Sequence, residues 1–324
     1  MDYLFLIIGL GLLLLSADFL VDSSVAIAQR AKISNFIIGL TIVGMGTSSP
    51  ELFVGILSAL HGNGDVAMGN VVGSNIANIL LILGVSAVIL PFSIESMTQR
   101  RDIPFGIFAS ILLLLLSSDK LIPGMLENTV SRIDGVVFLI LFVAYMACVI
   151  LGKKKSSNQA QLEVDEATKS KFTGKNRLML WAIVVASLAG LIYGGNLFLD
   201  STKNLARSWG MSEAVIAITI VAVGTSLPEL ITSIVAACKN NPQLALGNVL
   251  GSNVFNILFV LGLSATIKPI TIVDINIVDY LVALGASVMT YLVVFTFGKH
   301  RFDRIEGIIF LLCYVGYTAH LLLR

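Results

Sequence analysis

The chain has 324 residues, of which 56% are apolar and only 13% charged, with a formal net charge of +1. A soluble domain of this length carries about twice that share of charge, and 21 basic residues spread along the whole chain make no groove for nucleic-acid phosphates. With a mean hydropathy of +0.92, the composition suits a chain whose solvent is lipid.

A membrane-spanning helix needs ~20 mostly apolar residues. Ten segments approach that length: 2–27, 33–60, 65–91, 102–118, 131–152, 177–200, 212–238, 243–269, 276–298 and 304–323. Lipid tolerates only helices or closed barrels, so these lengths predict an all-α polytopic membrane protein with ten transmembrane helices. The first segment has no basic stretch ahead of it and no small-residue cleavage site before Arg30, which predicts a retained span and not a signal peptide. Residues 153–176 (KKKSSNQAQLEVDEATKSKFTGKN) break the pattern: they are polar, aperiodic and midway along the chain. They predict a linker between a first five-helix half (1–152) and a second (177–324). Cys148, Cys238 and Cys313 are isolated in apolar segments with no CxxC spacing, so they read as small buried apolar residues, with no metal or redox cofactor expected.

The two halves repeat each other. Residues 46–52 read GTSSPEL and residues 224–230 read GTSLPEL, identical at six of seven positions. Residues 69–80 (GNVVGSNIANIL) match residues 247–258 (GNVLGSNVFNIL) at nine of twelve, at the same offset of 178 residues. Five spans, an odd number, separate equivalent points, so the halves are expected to be inverted repeats around a shared site. With the linker in the cytoplasm, fifteen Lys and Arg collect on that side and six on the other, the bias the positive-inside rule favours. The expectation is a multi-pass protein of the cell (inner or plasma) membrane, both termini outside and the central linker cytoplasmic.

Glu51 and Glu229 need the most explanation. Each follows a proline inside an apolar span, and neither motif holds a basic residue. A carboxylate there costs several kcal/mol unless paired or solvated. A protonated Glu bonded to a neighbouring helix is the structural alternative, which the recurrence of the acid in both copies disfavours. Thr47 and Thr225 lie four residues before the acids, stacking hydroxyl and carboxylate on one helix face, with Ser48 and Ser226 to the side. Pro50 and Pro228 remove a backbone donor and free the carbonyl one turn earlier, that of Gly46 or Gly224. Gly44 and Ala222 have little or no side chain to shield their own oxygens. The second motif adds Ser74 with Asn78 and Ser252 with Asn256, each pair spaced i, i+4. Gly69, Gly73, Gly247 and Gly251 mark a helix break or a close helix contact. Asn70, Asn75, Asn248 and Asn253 fit either site or scaffold, and lean to scaffold. Every candidate ligand is an oxygen, a set suited to Ca2+, Na+ or Mg2+ and not to zinc or copper. One Ca2+ neutralises two glutamates, and exchange for more than one monovalent ion keeps the site near neutral in each loaded state.

In these residues the chain resembles the calcium/cation antiporter superfamily, whose two repeats carry G-T-S-x-P-E and G-S-N-x-x-N-I patterns, and within it the prokaryotic sodium/calcium exchanger branch. The resemblance covers about residues 33–91 and 211–269. It implies an antiporter, not an enzyme, that exchanges Ca2+ for Na+ by alternating access, with four sites formed by the second, third, seventh and eighth spans. Carried over by motif position, the metal ligands are Thr47, Ser48, Glu51, Ser74 and Asn78 from the first repeat. The second repeat supplies Thr225, Ser226, Glu229, Ser252 and Asn256, and backbone oxygens come from Gly44 and Ala222. Calcium sits between Glu51 and Glu229 in that picture. Several branches, potassium-dependent exchangers among them, have Asp where this chain has Asn256, so two carboxylates serve here and not three. The proton-coupled branch usually reads G-N-x-x-E, which this chain lacks. Sodium is therefore the expected counter-ion, with an H+-coupled antiporter of Ca2+ or another divalent cation as the alternative.

The rival readings are weaker. Channels usually build selectivity rings from several subunits, whereas this chain duplicates its site within itself. An intramembrane enzyme needs paired aspartates or a His or Ser/His arrangement, and His61, His300 and His320 all lie near loops or ends. The expected partners are the lipid bilayer and the transported ions, with no nucleic acid and no obligate protein partner.

Overall fold

The computed structural model of the chain describes residues 2–118, 127–156, 170–172, 174–211, 222–293 and 301–323. In chain order its main helices are α1 (Asp2–Ala31), α2 (Asn35–Thr47), α3 (Ser49–His61), α4 (Gly64–Ile89), α5 (Ile103–Leu116) and α6 (Arg132–Ser156). The second half continues with α7 (Arg177–Ser208), α8 (Leu227–Cys238), α9 (Pro242–Ile267), α10 (Ile277–Val293) and α11 (Arg304–Leu323). The fold is a mostly helical polytopic membrane fold. Among the described residues six helices, α1, α4, α6, α7, α9 and α11, are long and apolar enough to cross a bilayer, and α2 with α3 makes a seventh crossing bent by 45°. The remaining apolar helices are shorter. Parts of the predicted linker (157–169 and 173) and of the predicted seventh and ninth segments (212–221 and 294–298) lie outside the described residues.

Equivalent elements of the two halves meet. The first helices α1 and α7 pack through glycine: a Cβ on Gly9 would come 2.7 Å from Phe198 N, and one on Gly194 3.1 Å from Gly9 O. Small residues of this kind let helix backbones approach in lipid. Ser110 of α5 and Ser287 of α10 share a hydrogen bond of 3.1 Å. α4 packs on α11 and α6 on α9: a Cβ on Gly307 would lie 2.8 Å from Gly84 O, and one on Gly135 2.7 Å from Gly262 O.

Two short antiparallel ribbons also join the halves. The first strand is β1 (Phe92–Ser93). The strands following β1 are β2 (Asn128–Val130), β3 (Ile270–Ile272) and β4 (Arg301–Phe302); β1 pairs with β4 and β2 with β3. Even the helix ends repeat. Gly62 (φ 78°) and Asn240 (φ 55°) both turn left-handed, and the following amides, Asn63 and Asn241, both bond back at 2.8 Å to Ser58 O and Ala236 O. Glycine and asparagine are the residues that accept this backbone at a helix end.

Two apolar clusters result. The larger gathers side chains from α4, α5, α6, α9, α10 and α11. The smaller is built from α1 and α7 with Ile38, Val43, Ala236, Leu244 and Ala245. The end of the linker is tied to α1: Ser170 Oγ donates to Asp22 O at 2.7 Å, and Lys171 pairs with Asp18 at 2.9 Å. The Asp18 carboxylate holds the exposed Lys171 ammonium above the usual lysine range. Lys239, just past α8, meets Asp18 and Asp22 at 2.6 and 2.9 Å. Contrary to the buried role expected for them, Cys148 and Cys238 are exposed and Cys313 is half-buried. An apolar helix in lipid has no polar face to mark which side points outward.

Candidate functional site

Both copies of the first motif break their helix at a serine. Ser48 has φ −80° and ψ 12°, Ser226 φ −87° and ψ 8°, off the helical range. Pro50 and Pro228 then stand in the first turn of α3 and α8, where a missing N–H costs nothing. Glu51 and Glu229 fall in that same first turn, where the helix macrodipole places about half a positive charge. The carbonyl of Gly46, expected to be free, instead accepts Ser49 Oγ at 2.5 Å. Leu227, the one mismatch between the two motifs, has no hydroxyl for that role.

The glycines of the second motif do not break α9. Those of α9 mark a close contact, whereas a Cβ on Gly73 of α4 would meet nothing within 4 Å. A Cβ on Gly247 would collide with Phe36 O, one on Gly251 with Leu40 O, and one on Gly39 with Leu244 O, so α2 and α9 touch backbone to backbone. The distortion comes a turn later, as a π-helical stretch in each half: Ala77–Leu83 and Phe255–Val260, again 178 residues apart at their starts. Such widened turns are rare and gather at functional sites. Asn78 and Asn256 occupy their second positions.

The folded chain brings the two copies together. Ser48 Oγ donates to Glu229 Oε1 at 2.9 Å, Thr47 Oγ1 lies 3.2 Å from Asn248 Oδ1, and Ser252 Oγ donates to Gly44 O at 3.2 Å. Asn78 Nδ2 donates to Asn253 Oδ1 at 2.9 Å. On the other side Thr225 and Ser226 form the turn ahead of α8, and Ser226 Oγ closes no hydrogen bond. Ser74 Oγ donates to Asn70 O at 2.5 Å. Ala222 opens the short helical segment Ala222–Gly224 ahead of α8, at the position equivalent to Gly44.

Asn70 and Asn248 make one bond twice. Asn70 Nδ2 donates to Glu51 O at 3.2 Å, and Asn248 Nδ2 to Glu229 O at 3.3 Å. Ser233, outside both motifs, accepts from Asn248 Nδ2 at 2.9 Å. Its only sequence signal is its place one turn past Glu229, and Gly55 at the equivalent point has no hydroxyl.

What remains unsatisfied is concentrated here. Glu51 and Glu229 are each 1% exposed, and among the described residues no Lys or Arg pairs with either. Both carboxylate oxygens of Glu51, Oε2 of Glu229, Oδ1 of Asn78 and both amide atoms of Asn256 have no hydrogen-bond partner. Buried polar atoms are nearly always satisfied. Bare buried oxygens on two acids and on Asn78 and Asn256 are the donor set a hard cation takes.

The sequence model of the family described as sodium/calcium exchanger protein matches residues 1–151 and 179–323. The chain belongs to the sodium/calcium exchanger family. The unmatched gap falls across the polar segment between the two halves. This exchanger is 35% identical over 273 residues to the inner membrane protein YrbG of Escherichia coli (strain K12), covering 82% of this chain and 79% of YrbG. It is 28% identical over 343 residues to the sodium/calcium exchanger MaX1 of Methanosarcina acetivorans, covering 98% and 97%. A solved structure of the sodium-calcium exchanger NCX_Mj, soaked with 2.5 mM Na+ and 0.1 mM Ca2+, matches with a TM-score of 0.81 at 30% identity, over 98% of this chain and 97% of that one. As a member of this family the protein is a membrane cation antiporter, a transporter and not an enzyme.

Proposed function

We propose that this exchanger moves Ca2+ against Na+ across the cell membrane by alternating access, with Ca2+ held between Glu51 and Glu229. The observation that carries the reading is that three of the four carboxylate oxygens at the crossing of the two motifs are buried without a donor. Thr47, Ser48, Ser74, Asn78, Thr225, Ser226, Ser252 and Asn256 complete the oxygen shell, with the carbonyls of Gly44 and Ala222. Two buried acids without a cation are costly to carry through the membrane, whereas one Ca2+ or more than one Na+ offsets their charge. Turnover is therefore favoured only when the site is loaded, which is the condition for exchange. Sodium as counter-ion is supported by the names of MaX1 and NCX_Mj and by the absence of a G-N-x-x-E motif.

In this reading ten spans form two inverted halves, 1–152 and 177–324, joined by a cytoplasmic linker at 153–176, with both termini outside. The ribbons support it. By span count β1 and β4 both lie on the linker's side and β2 and β3 both on the other, so each ribbon joins loops that share a membrane face. The bilayer and the ions are the partners the mechanism needs.

The test is radiolabelled Ca2+ uptake into proteoliposomes. Uptake should require internal Na+ and ignore an imposed pH gradient. Uptake driven by a proton gradient without Na+ would establish the H+-coupled alternative, and uptake with no counter-ion at all would mean a channel.

A further inference from the structure

We propose that Asn253 is a positioning residue for the ion site, fixing the Asn78 amide with its oxygen toward the cation. The bonding leaves one consistent arrangement. Asn75 O, a backbone carbonyl, can only accept, so the Asn253 amide that reaches it at 3.3 Å is Nδ2. The opposite end of the same side chain is then Oδ1, which accepts at 2.9 Å from Asn78. Asn78 must therefore turn its Nδ2 to Asn253, and its Oδ1 is left buried with no donor. One side chain of α9 thus spans two residues of α4, a turn apart, and sets the direction of the second.

Direction decides what Asn78 is. An amide offers oxygen at one end and two N–H groups at the other, so the turned-round rotamer points positive hydrogens at the cation. Residues behind a metal's ligands commonly act this way, fixing the ligand's orientation. The mirror pair shows the difference. Asn75 is equivalent to Asn253 and Asn256 to Asn78, yet both amide atoms of Asn75 and of Asn256 are buried without a partner. One asparagine of the site is held as an oxygen ligand and its counterpart is not.

The inference rests on the reading of Asn78 as a ligand, and the variants separate the two. The readout is the KM for Ca2+ and the maximal rate in Na+-loaded proteoliposomes. Asn253→Leu is expected to raise KM about tenfold, with the maximal rate changed less than about twofold. Asn75→Leu, which keeps the carbonyl that holds Asn253, is expected to move KM by less than about twofold. In an Asn78→Ala background, Asn253→Leu should add nothing, because there is no amide left to orient. Combining Asn253→Leu with Asn78→Asp should bring KM back toward that of Asn78→Asp alone, since a carboxylate presents oxygen whichever way it turns. Should Asn253→Leu fail to fold, Asn253→Ala removes the same two hydrogen bonds with less bulk, and it is expected to give the same rise of about tenfold in KM. Equal effects of Asn253→Leu and Asn75→Leu, an additive effect on top of Asn78→Ala, or a parent-like KM in Asn253→Ala overturns the proposal. If Asn78→Ala itself leaves KM unchanged, the ligand reading fails, and the positioning role with it.

Discussion

Ser48 Oγ donates to Glu229 Oε1 at 2.9 Å, across 181 positions of sequence. The mirror bond, from Ser226 to Glu51, is not made: Ser226 Oγ and both carboxylate oxygens of Glu51 stand without a partner. The two acids are equivalent in sequence and inequivalent in the fold.

That inequivalence sharpens the obvious substitution. Glu51→Gln and Glu229→Gln keep the shape of the side chain and remove the charge that offsets Ca2+, so each should abolish Ca2+ transport while the protein still inserts and folds. Their stabilities should part company with and without the ion. Ca2+ at 100 times Kd stabilises the parent by about 2.7 kcal/mol, and both variants should lose that gain in a thermal-shift assay. Without Ca2+, Glu51→Gln should be no less stable than the parent, since it removes a bare buried charge and breaks no hydrogen bond. Near-normal exchange by either variant would sink the assignment of the acids.

A second prediction concerns the backbone contact between α2 and α9. A Cβ on Gly251 would run into Leu40 O, whereas one on Gly285 meets nothing within 4 Å. Gly251→Ala should therefore destabilise by about 1–3 kcal/mol through overpacking. Gly285→Ala, in the interior of α10, should be neutral or stabilising by up to ~1 kcal/mol, from helix propensity. Detergent melting curves of the two variants check the contrast; a Gly251→Ala protein as stable as the parent would mean the helices do not touch there.

How much of this was legible in the sequence follows from what each residue costs. Glu51 and Glu229 stand out because a carboxylate in an apolar run is expensive wherever the chain folds. The repeat of Thr47, Ser48, Ser74 and Asn78 at a fixed offset is visible for the same reason. The π-helical stretches at Ala77 and Phe255 are not, because an i→i+5 turn uses no special residue. Nor is the direction of the Asn78 amide, which depends on Asn253 and a carbonyl on another helix. The outward placement of Cys148 escapes because lipid-facing and core-facing residues are equally apolar. Gly46 shows a local competitor winning: the carbonyl that Pro50 frees is taken by Ser49, one residue before the proline.

The third prediction tests the inverted arrangement through the ribbons. Ser93 of β1 and Thr271 of β3 are both exposed, at equivalent points of the repeat. In a background with Cys148, Cys238 and Cys313 replaced, Ser93→Cys should react with an impermeant thiol reagent only from the cytoplasmic side and Thr271→Cys only from outside. Labelling of both from one face would refute inverted repeats.

The fourth prediction concerns the third carboxylate that this chain lacks. Asn256 is fully buried and neither of its amide atoms has a partner, so Asn256→Asp breaks no hydrogen bond and adds one charge to a site that already holds two. With Ca2+ bound, the enlarged site carries an excess negative charge at mid-membrane, which a proton or a further monovalent cation must offset. Transport by the variant should therefore depend on pH and on K+ or Na+ more steeply than the parent's, while Ca2+ binding survives. The sign follows from competition: as the pH falls, a proton takes the new carboxylate and the variant's ion dependence returns toward that of the parent. Asn75→Asp adds the same charge to a buried side chain placed in the scaffold, and it should impair folding or expression without retuning ion dependence. Flux measured against pH and K+ for both variants decides the matter. An Asn256→Asp exchanger with the parent's pH and ion dependence would remove Asn256 from the site.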